Sequence, residues 1–421
     1  MGPSIHKTVD HLFRHESGRM IAVLSKLLGL QQLHMAQDIV QDTLLQAMTT
    51  WPFNGLPDNP VGWLHRVARN KAVDLLRKEK IFNHLQPKIQ YLLQSEYTLS
   101  ATVQHLFEEE EIMDSQLRMM FACCHMSIPV EAQMALILKT LCGLSTAEIA
   151  KAFLKDEETI AKRIYRAKEK IRSERIKLEL PAYPKIAQRL AAVLHSLYLL
   201  FNEGYNSSLP EHLIREDLCE EAMRLTYLLT KHAATNGPGT HALLALFCFQ
   251  ASRLGARLDD KGNIILLKHQ DRSRWHQPLI QKGNYYLELA TEDETSAYHL
   301  EAAIAWLHAS APDFERTNWK AIYHLYSELS RHHPSDIVSL NKAIAAAYAL
   351  DRKSAINELR EIKSLDNYYL YHTAIGEIYF DEGLNEQARQ CFQKALDLTN
   401  SPAEQQLLRN KITACKNTSA G

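Results

Sequence analysis

The chain has 421 residues and a net charge of −1, and its 46% hydrophobic and 23% charged residues are typical of a globular rather than a disordered protein. Its 15 Gly and 14 Pro are too few for a turn-rich all-β protein, and its seven scattered Cys exclude a disulfide framework. No apolar run is long enough to span a membrane, and the N-terminus lacks the apolar segment of a secretory signal, so we expect a cytoplasmic protein.

The first 80 residues are predicted to form three helices. Apolar residues recur near the helical period over 11–30, where Gly29 ends the segment, and again over 33–51. The loop 52–60 contains three Pro and precedes a third helix, 61–80. This third helix holds six basic residues and only two acidic ones. It is therefore a local basic surface on a nearly neutral chain, suited to a phosphate backbone or, alternatively, only to solvent.

A second basic helix lies within 143–172. Ser145 and Glu148 have capping-box spacing, and Asp156 is placed to cap a following helix. That helix has apolar residues on one side, and the segment 162–177 contains eight basic and two acidic residues. Two short helices with a tight turn and a basic second helix predict a helix-turn-helix that enters the DNA major groove. A plain helical hairpin would have the same apolar pattern but would not require the basic side.

Both basic segments together resemble one protein family. AQDIVQDTLLQAMTTWP (36–52) and NPVGWLHRVARNKAVDLLRKEK (59–80) are similar to conserved region 2 of bacterial sigma factors, and 143–172 is similar to region 4. The overall resemblance is to the extracytoplasmic-function (ECF) subfamily, which keeps only these two regions. Further motifs resemble the ECF subgroup with a long helical C-terminal extension: FNEGYNSS (201–208), LC..EA.RL (218–225), QDRSRW (270–275) and EAAIAWLHA (301–309).

The resemblance implies an all-α fold with four segments. Region 2, a helical bundle, would occupy 1–82, and a linker would occupy 83–112. Region 4, with the helix-turn-helix, would occupy 113–180. The C-terminal extension, 181–421, would be a helical domain with tetratricopeptide-like repeats at about 318–400. The function implied is that of a sigma factor, which binds core RNA polymerase and directs promoter recognition and transcription initiation.

The second helix of region 2 is implied to contact the polymerase. In this family it docks on a coiled coil of the β′ subunit, and core polymerase, through β′ and β, is therefore the expected protein partner. The matching positions are Asp38, Gln41, Asp42 and Leu45. The two aspartates are four residues apart on one helix face, where they would meet basic residues of the partner. Alternatively, Leu45 belongs to the core of the bundle.

Promoter DNA is the second implied partner. The third helix and the loop before it would contact the −10 element through Trp63, Arg66, Arg69, Asn70 and Arg77. Opening a duplex requires phosphate neutralisation and a surface for unstacked bases, which basic and aromatic side chains supply. Alternatively, Trp63 is a buried anchor of the region 2 bundle.

The second helix of region 4 would contact the −35 element. The candidate residues are Thr159, Lys162, Arg163, Arg166 and Lys168. The turn before this helix departs from the family pattern, because FLKDEET (153–159) lacks the usual Gly. Glu157 and Glu158 add negative charge at the start of the helix. They either complement the helix dipole or accept a hydrogen bond from cytosine.

The C-terminal half contains a repeat of about 33 residues. Ala388, Phe392 and Ala395 follow Ile375, Gly376 and Tyr379 at tetratricopeptide spacing, and partial copies start at Ala355 and Ile322. Stacked helix pairs of this kind leave a concave surface suited to a protein or peptide partner. Alternatively, the stack is purely structural.

No catalytic residue, metal site or cofactor is predicted. Cys123, Cys124 and His125 are adjacent, and side chains about 100° apart on a helix do not converge on one ion. In QDRSRW, Asp271 is predicted to pair with Arg272 or Arg274 and to fix a loop. Two other functions remain open: a free-standing helix-turn-helix regulator with a helical sensing domain, and a helical-repeat scaffold or enzyme.

Overall fold

The computed structural model describes residues 3–78, 103–153, 155–181, 185–207, 213–291 and 295–417. Within these ranges the chain is helical and has no β-strand, apart from one isolated antiparallel bridge between Leu258 and Ile264. The predicted all-α fold is confirmed. No helix in this part of the chain is long and apolar enough to cross a membrane. The predicted linker, 83–112, lies outside the described residues as far as 102.

The chain forms two compact units. Unit 1 comprises Met1–Phe201 and Glu220–Thr235, and unit 2 comprises Asn202–Cys219 and Asn236–Gly421. Unit 1 thus holds the segments that resemble regions 2 and 4 and also two pieces of the predicted C-terminal extension. The domain boundaries taken from the sequence remain predictions, and they do not coincide with this division.

Most of the helices of unit 1 come from the first half of the chain. They are α1 (Pro3–Leu28), α2 (Leu33–Asn54), α3 (Pro60–Lys78), α4 (Glu109–Cys123), α5 (Val130–Thr140), α6 (Thr146–Ala152), α7 (Glu157–Ser173), α8 (Lys185–Tyr205) and α9 (Glu216–Leu229), of which α8 and α9 extend a few residues into unit 2.

Glycines with left-handed backbone angles follow the first two helices. Gly29 comes directly after α1 with φ of 87°, and Gly55 comes directly after α2 with φ of 80°. Glycine adopts such angles without the steric cost that a Cβ atom imposes. Helix α2 therefore ends at Asn54, just before Gly55 and three residues beyond the predicted 33–51, and the predicted loop 52–60 is shortened.

Helix α1 is the central element of unit 1. Its Leu27 is fully buried, and the helix packs against α2, α3, α4 and α5. The approach to α5 is so close that a Cβ atom on Gly18 would overlap the carbonyl oxygen of Leu141. On another side Lys26 Nζ donates a hydrogen bond of 2.9 Å to Asp114 of α4. The segments that resemble regions 2 and 4 therefore share one core.

Unit 2 is a succession of helices from the second half of the chain. They are α10 (Pro238–Ser252), α11 (Gln277–Leu289), α12 (Ala297–Ser310), α13 (Trp319–His332), α14 (Asp336–Ala349), α15 (Arg352–Arg360), α16 (Tyr369–Asp381), α17 (Asn385–Leu398) and α18 (Pro402–Asn417).

The predicted repeat corresponds to packed helices in unit 2. Neighbours in the chain pack on each other, as α16 does on α17 and α17 on α18. Phe392 is fully buried against Gly376, where an added Cβ would lie 2.6 Å from the phenyl ring. The small and aromatic positions of the repeat thus fit each other. Residues at matching positions of the earlier copies are also buried: Ala355, Leu359, Ile362, Ile322 and Leu329.

Candidate nucleic-acid interface

The ends of α6 and α7 are fixed by the caps predicted from the sequence. Ser145 Oγ accepts a hydrogen bond of 3.1 Å from the Glu148 amide, and Glu148 Oε2 accepts one of 2.6 Å from the Ser145 amide. Asp156 Oδ1 accepts a hydrogen bond of 2.7 Å from the Thr159 amide. These contacts satisfy amides that would otherwise lack partners at the helix N-termini. The capping predictions are confirmed.

Helix α7 separates a buried apolar side from an exposed basic side. Its buried residues are Ile160, Ile164, Ala167 and Ile171, as the spacing predicts. Lys162 and Arg166 are exposed on the other side, and Arg163 is half-buried. Glu158 pairs with Lys162 at 2.6 Å. Exposed pairs of this kind contribute little to stability, so Lys162 can exchange its partner for a phosphate.

Tyr165 extends the exposed side of α7 and was missed by the sequence reasoning. Its side chain is 66% exposed, and it lines a shallow groove together with Glu158, Lys162 and Arg166. The available signal was its position three residues after Lys162, on the same helix face. A tyrosine hydroxyl at such a position can donate to a phosphate oxygen.

Lys168 and Thr159 have protein partners of their own. Lys168 is half-buried, and its Nζ donates a hydrogen bond of 2.6 Å to Gln37 Oε1 of α2. Burial lowers the pKa of Lys168, and the nearby Lys139 cation lowers it further. Thr159 Oγ1 donates to Asp156 Oδ2 at 2.7 Å. Of the five residues predicted to contact the −35 element, these two are therefore engaged within unit 1.

The basic residues of α3 lie on a separate exposed surface. Arg66, Asn70 and Arg77 are exposed, and Arg69 is half-buried. Arg77 lies 3.8 Å from Asp74 in an exposed ion pair. All four therefore remain accessible to a polyanion, at least in part.

Trp63 belongs to an aromatic cluster. It is half-buried, and its ring packs edge-on against Trp51, with centroids 5.4 Å apart. Trp51 is buried and lies 5.6 Å from the ring of Phe13. The cluster joins the start of α3 to α1 and α2. Trp63 therefore has a structural role in the bundle but is not fully buried.

The predicted polymerase-binding face of α2 is exposed throughout. Asp38, Gln41 and Asp42 are exposed, and Leu45 is 51% exposed. The alternative in which Leu45 belongs to the core is therefore wrong. Met48, 59% exposed, adds a second apolar side chain to this face. The sequence could not reveal that Leu45 and Met48 are exposed. Their helical spacing groups them with the buried side chains of α2, and a face that binds a partner has the same apolar pattern as a face that binds the core.

The remaining motifs have structural partners. Cys123 is buried, which raises its thiol pKa to about 12, and His125 Nδ1 lies 2.8 Å from Ser127 Oγ. Among the described residues no group of His, Cys, Asp and Glu is arranged to hold a metal ion. In QDRSRW, Asp271 does not form the predicted pair with Arg272 or Arg274. It accepts a hydrogen bond of 2.9 Å from the Ser273 amide and so caps a short 3-10 helix.

Arg272 and Arg274 instead fix the loop. The Arg272 guanidinium stacks over the indole of Trp275, 4.2 Å from its centroid, and donates to the carbonyl oxygen of His308. Arg274 donates a hydrogen bond of 3.1 Å to the carbonyl oxygen of Gly255. The predicted loop-fixing role is confirmed, with backbone carbonyls as the partners.

Comparisons with known proteins agree with this geometry. A family model described as Sigma-70 region 2 matches residues 12–81, and one described as Sigma-70, region 4 matches residues 118–171. A family of unknown function (DUF6596) matches residues 189–291. No solved structure matches the chain.

Two curated proteins illustrate the similarity. The chain is 33% identical over 398 residues to "Uncharacterized protein R00370" of Rhizobium meliloti, which covers 94% of this chain and 93% of that protein. It is 27% identical over 164 residues to "ECF RNA polymerase sigma factor SigE" of Mycolicibacterium smegmatis, which covers 39% of this chain and 60% of that protein.

Proposed function

This chain belongs to the sigma-70 family of RNA polymerase sigma factors, in its extracytoplasmic-function subfamily, and from this membership we propose how its surfaces divide the work of initiation. It is a promoter-recognising sigma factor. Membership of the family implies core RNA polymerase and promoter DNA as its partners, with regulation rather than catalysis as its role. Because the polymerase acts where the chromosome is, we infer a cytoplasmic location.

The −35 element is assigned to the exposed side of α7. Arg166 and Lys162 are exposed there, beside Tyr165. Arginine is well suited to guanine edges in the major groove, and lysine to phosphates. Half-buried Thr159, Arg163 and Lys168 complete the proposed contact set. This exposed basic face opposite a buried apolar side is the observation that best supports the proposal.

The −10 element is assigned to α3 and the loop before it. Arg66, Asn70 and Arg77 supply exposed polar groups, and half-buried Arg69 adds charge. Half-buried Trp63 supplies an aromatic ring on which an unstacked base can pack. Phosphate neutralisation and base stacking are the two requirements of strand opening, and α3 offers side chains for both.

Core polymerase is assigned to the exposed face of α2. Asp38, Gln41 and Asp42 supply polar and negative groups, and Leu45 supplies an apolar one. Exposed Leu45 and Met48, one turn apart on the helix that carries Asp38 and Asp42, are typical of a protein-binding surface.

The helices of unit 2 are assigned to a regulatory protein or peptide partner. Several large apolar side chains remain exposed on them, including Trp306 at 39%, Ile337 at 45% and Leu350 at 56%. Stacked helical repeats commonly present such side chains to extended ligands.

Transcription in vitro tests the proposal. Purified core polymerase with the full chain should start transcripts from specific genomic promoters, whereas core polymerase alone should not. Absence of initiation from every genomic promoter, together with absence of binding to core polymerase, would refute the proposal. A gel shift of the full chain on a promoter used in this assay, without polymerase, tests the alternative of a free-standing regulator. Such a regulator would shift the promoter specifically on its own, whereas the proposed sigma factor would not.

A further inference from the structure

A buried carboxylate ties α1 to the basic helix α3. Glu16 of α1 is 2% exposed. Its Oε2 lies 2.7 Å from Nε2 of His65 on α3, and its Oε1 lies 2.9 Å from Nδ1 of His15. An ionised carboxylate only accepts hydrogen bonds, so each of these two histidine nitrogens carries a proton and donates a hydrogen bond to Glu16.

The same network reaches a helix of the C-terminal extension. His15 Nε2 lies 3.6 Å from Oε2 of Glu221 on α9, and Glu221 is 4% exposed. Arg224, one turn further along α9, donates two hydrogen bonds to Glu221, of 2.9 and 2.7 Å, and a third of 3.1 Å to Gln116 of α4. All these residues belong to unit 1. Glu221 lies within the segment that matches the family of unknown function.

The position of His65 on α3 gives the network a functional direction. His65 precedes Arg66 and follows Trp63 by two residues, so a fixed inward His65 also fixes the rotation of the exposed side chains about the helix axis. A buried carboxylate holds its donors firmly, because losing one leaves an uncompensated buried charge. A path therefore runs from α9 to the surface assigned to the −10 element, through a charge contact between Glu221 and His15 and the hydrogen bonds of Glu16 with His15 and His65.

We infer that Glu16 and Glu221 are positioning residues for promoter opening. The path Glu221–His15–Glu16–His65 holds α3 in the orientation that binds the −10 element, and it makes this orientation depend on α9. The C-terminal extension thus acts on −10 recognition through side chains that touch no DNA. The inference rests on the proposed assignment of α3 to the −10 element.

The test measures, for each holoenzyme, its affinity for a −10 probe and its affinity for a −35 probe. Full-length variants E221Q and H65Q, the double variant and wild type are assembled with core polymerase. The probes are a single-stranded −10 oligonucleotide and a duplex −35 fragment, both from a promoter that wild type uses in the transcription assay. E216Q is the matched control, because Glu216 lies in the first turn of the same helix and is exposed.

We expect E221Q to weaken binding of the −10 probe by about 2- to 30-fold and to leave binding of the −35 probe unchanged. H65Q should act alike, and the double variant should be no weaker than the stronger single one, because the residues lie on one path. E216Q should match wild type.

An equal loss for both probes would show a merely structural role and overturn the inference, as would unchanged −10 binding in E221Q. If wild type starts no transcript from any promoter, the proposed function fails, and the inference fails with it. If wild type initiates and the ratio of the two affinities is unaffected, the inference alone fails.

Discussion

Arg166 and Lys168 lie two residues apart on α7 but have different surroundings. Arg166 is exposed, whereas Lys168 is held by Gln37. We expect Arg166→Ala to weaken −35 binding by about 1–3 kcal/mol if the guanidinium contacts a base edge. Lys168→Ala should cost less, because its ammonium group is already bonded within unit 1. Binding to a cognate and a scrambled duplex checks both variants.

The outcome on the scrambled duplex identifies the kind of contact. A base-specific contact of Arg166 lowers only the affinity for the cognate site, whereas a phosphate contact lowers both affinities about equally. A larger loss for Lys168→Ala than for Arg166→Ala would contradict the assignment drawn from their surroundings.

Leu45 is the residue that best tests the polymerase-binding face. It is 51% exposed, so a charge at this position should disturb a partner and leave the core of unit 1 intact. We expect Leu45→Glu to weaken binding to core polymerase by about 1–3 kcal/mol through loss of apolar contact. The matched control is Gln46→Glu, one position further along the same helix. Equal binding by both variants would remove Leu45 from the interface.

Glu16 makes the free energy of unfolding of unit 1 depend on pH in the acidic range. Burial raises its pKa, but hydrogen bonds from His15 and His65 and the Arg19 charge overcome this and lower the pKa from 4.5 to about 2. A pKa lowered by folding contributes stability above the unfolded value, and that stability is lost as pH falls from about 4.5 towards 2. The contribution is at most about 3 kcal/mol. Urea unfolding of wild type and Glu16→Gln should show a stability difference that narrows over this range. A difference independent of pH would contradict the assignment.

At the scale of elements, the two caps of the helix-turn-helix are the simplest test. Ser145 and Asp156 each satisfy an amide at a helix N-terminus. We expect Ser145→Ala and Asp156→Ala to lower the free energy of unfolding by about 1 kcal/mol each. Ser173→Ala, near the exposed end of α7, should change it little. Thermal unfolding monitored by circular dichroism measures all three, and an unchanged stability in both cap variants would show that the caps are dispensable.

The sequence predicts elements better than the contacts between them. The caps at Ser145 and Asp156 and the buried side of α7 follow from spacings of three and four residues, so local rules suffice. The exposure of Leu45 depends on what faces α2, which a periodic pattern does not specify. The contact between His15 and Glu221 joins residues 206 positions apart in the sequence, and no local rule brings them together. Asp271 shows the same limit, because a capping amide competed with the nearby arginines.

At the scale of the whole molecule, α8 and α9 are integral to unit 1. Leu197 and Phe201 of α8 and Ala222 and Leu225 of α9 are all buried. A chain ending at residue 181 lacks these side chains, so we expect it to unfold at a lower temperature and to associate through the exposed core. A chain ending at residue 235 retains them and is the matched control. Differential scanning calorimetry with size-exclusion chromatography compares the two, and equal stability would show that α8 and α9 are separable.

The contact between α1 and α5 limits how this sigma factor can be recombined with others. Gly18 leaves room for the Leu141 carbonyl, and Arg14, one turn earlier on α1, packs against Gly143. A chimaera joined between α1 and α5 would combine surfaces from two different proteins, and a donor with a larger residue at position 18 would collide with the carbonyl oxygen of Leu141. Engineers who want to redirect promoter choice should therefore exchange only the segment after Gly143, so that Gly18 still faces Leu141 and Gly143 still faces Arg14.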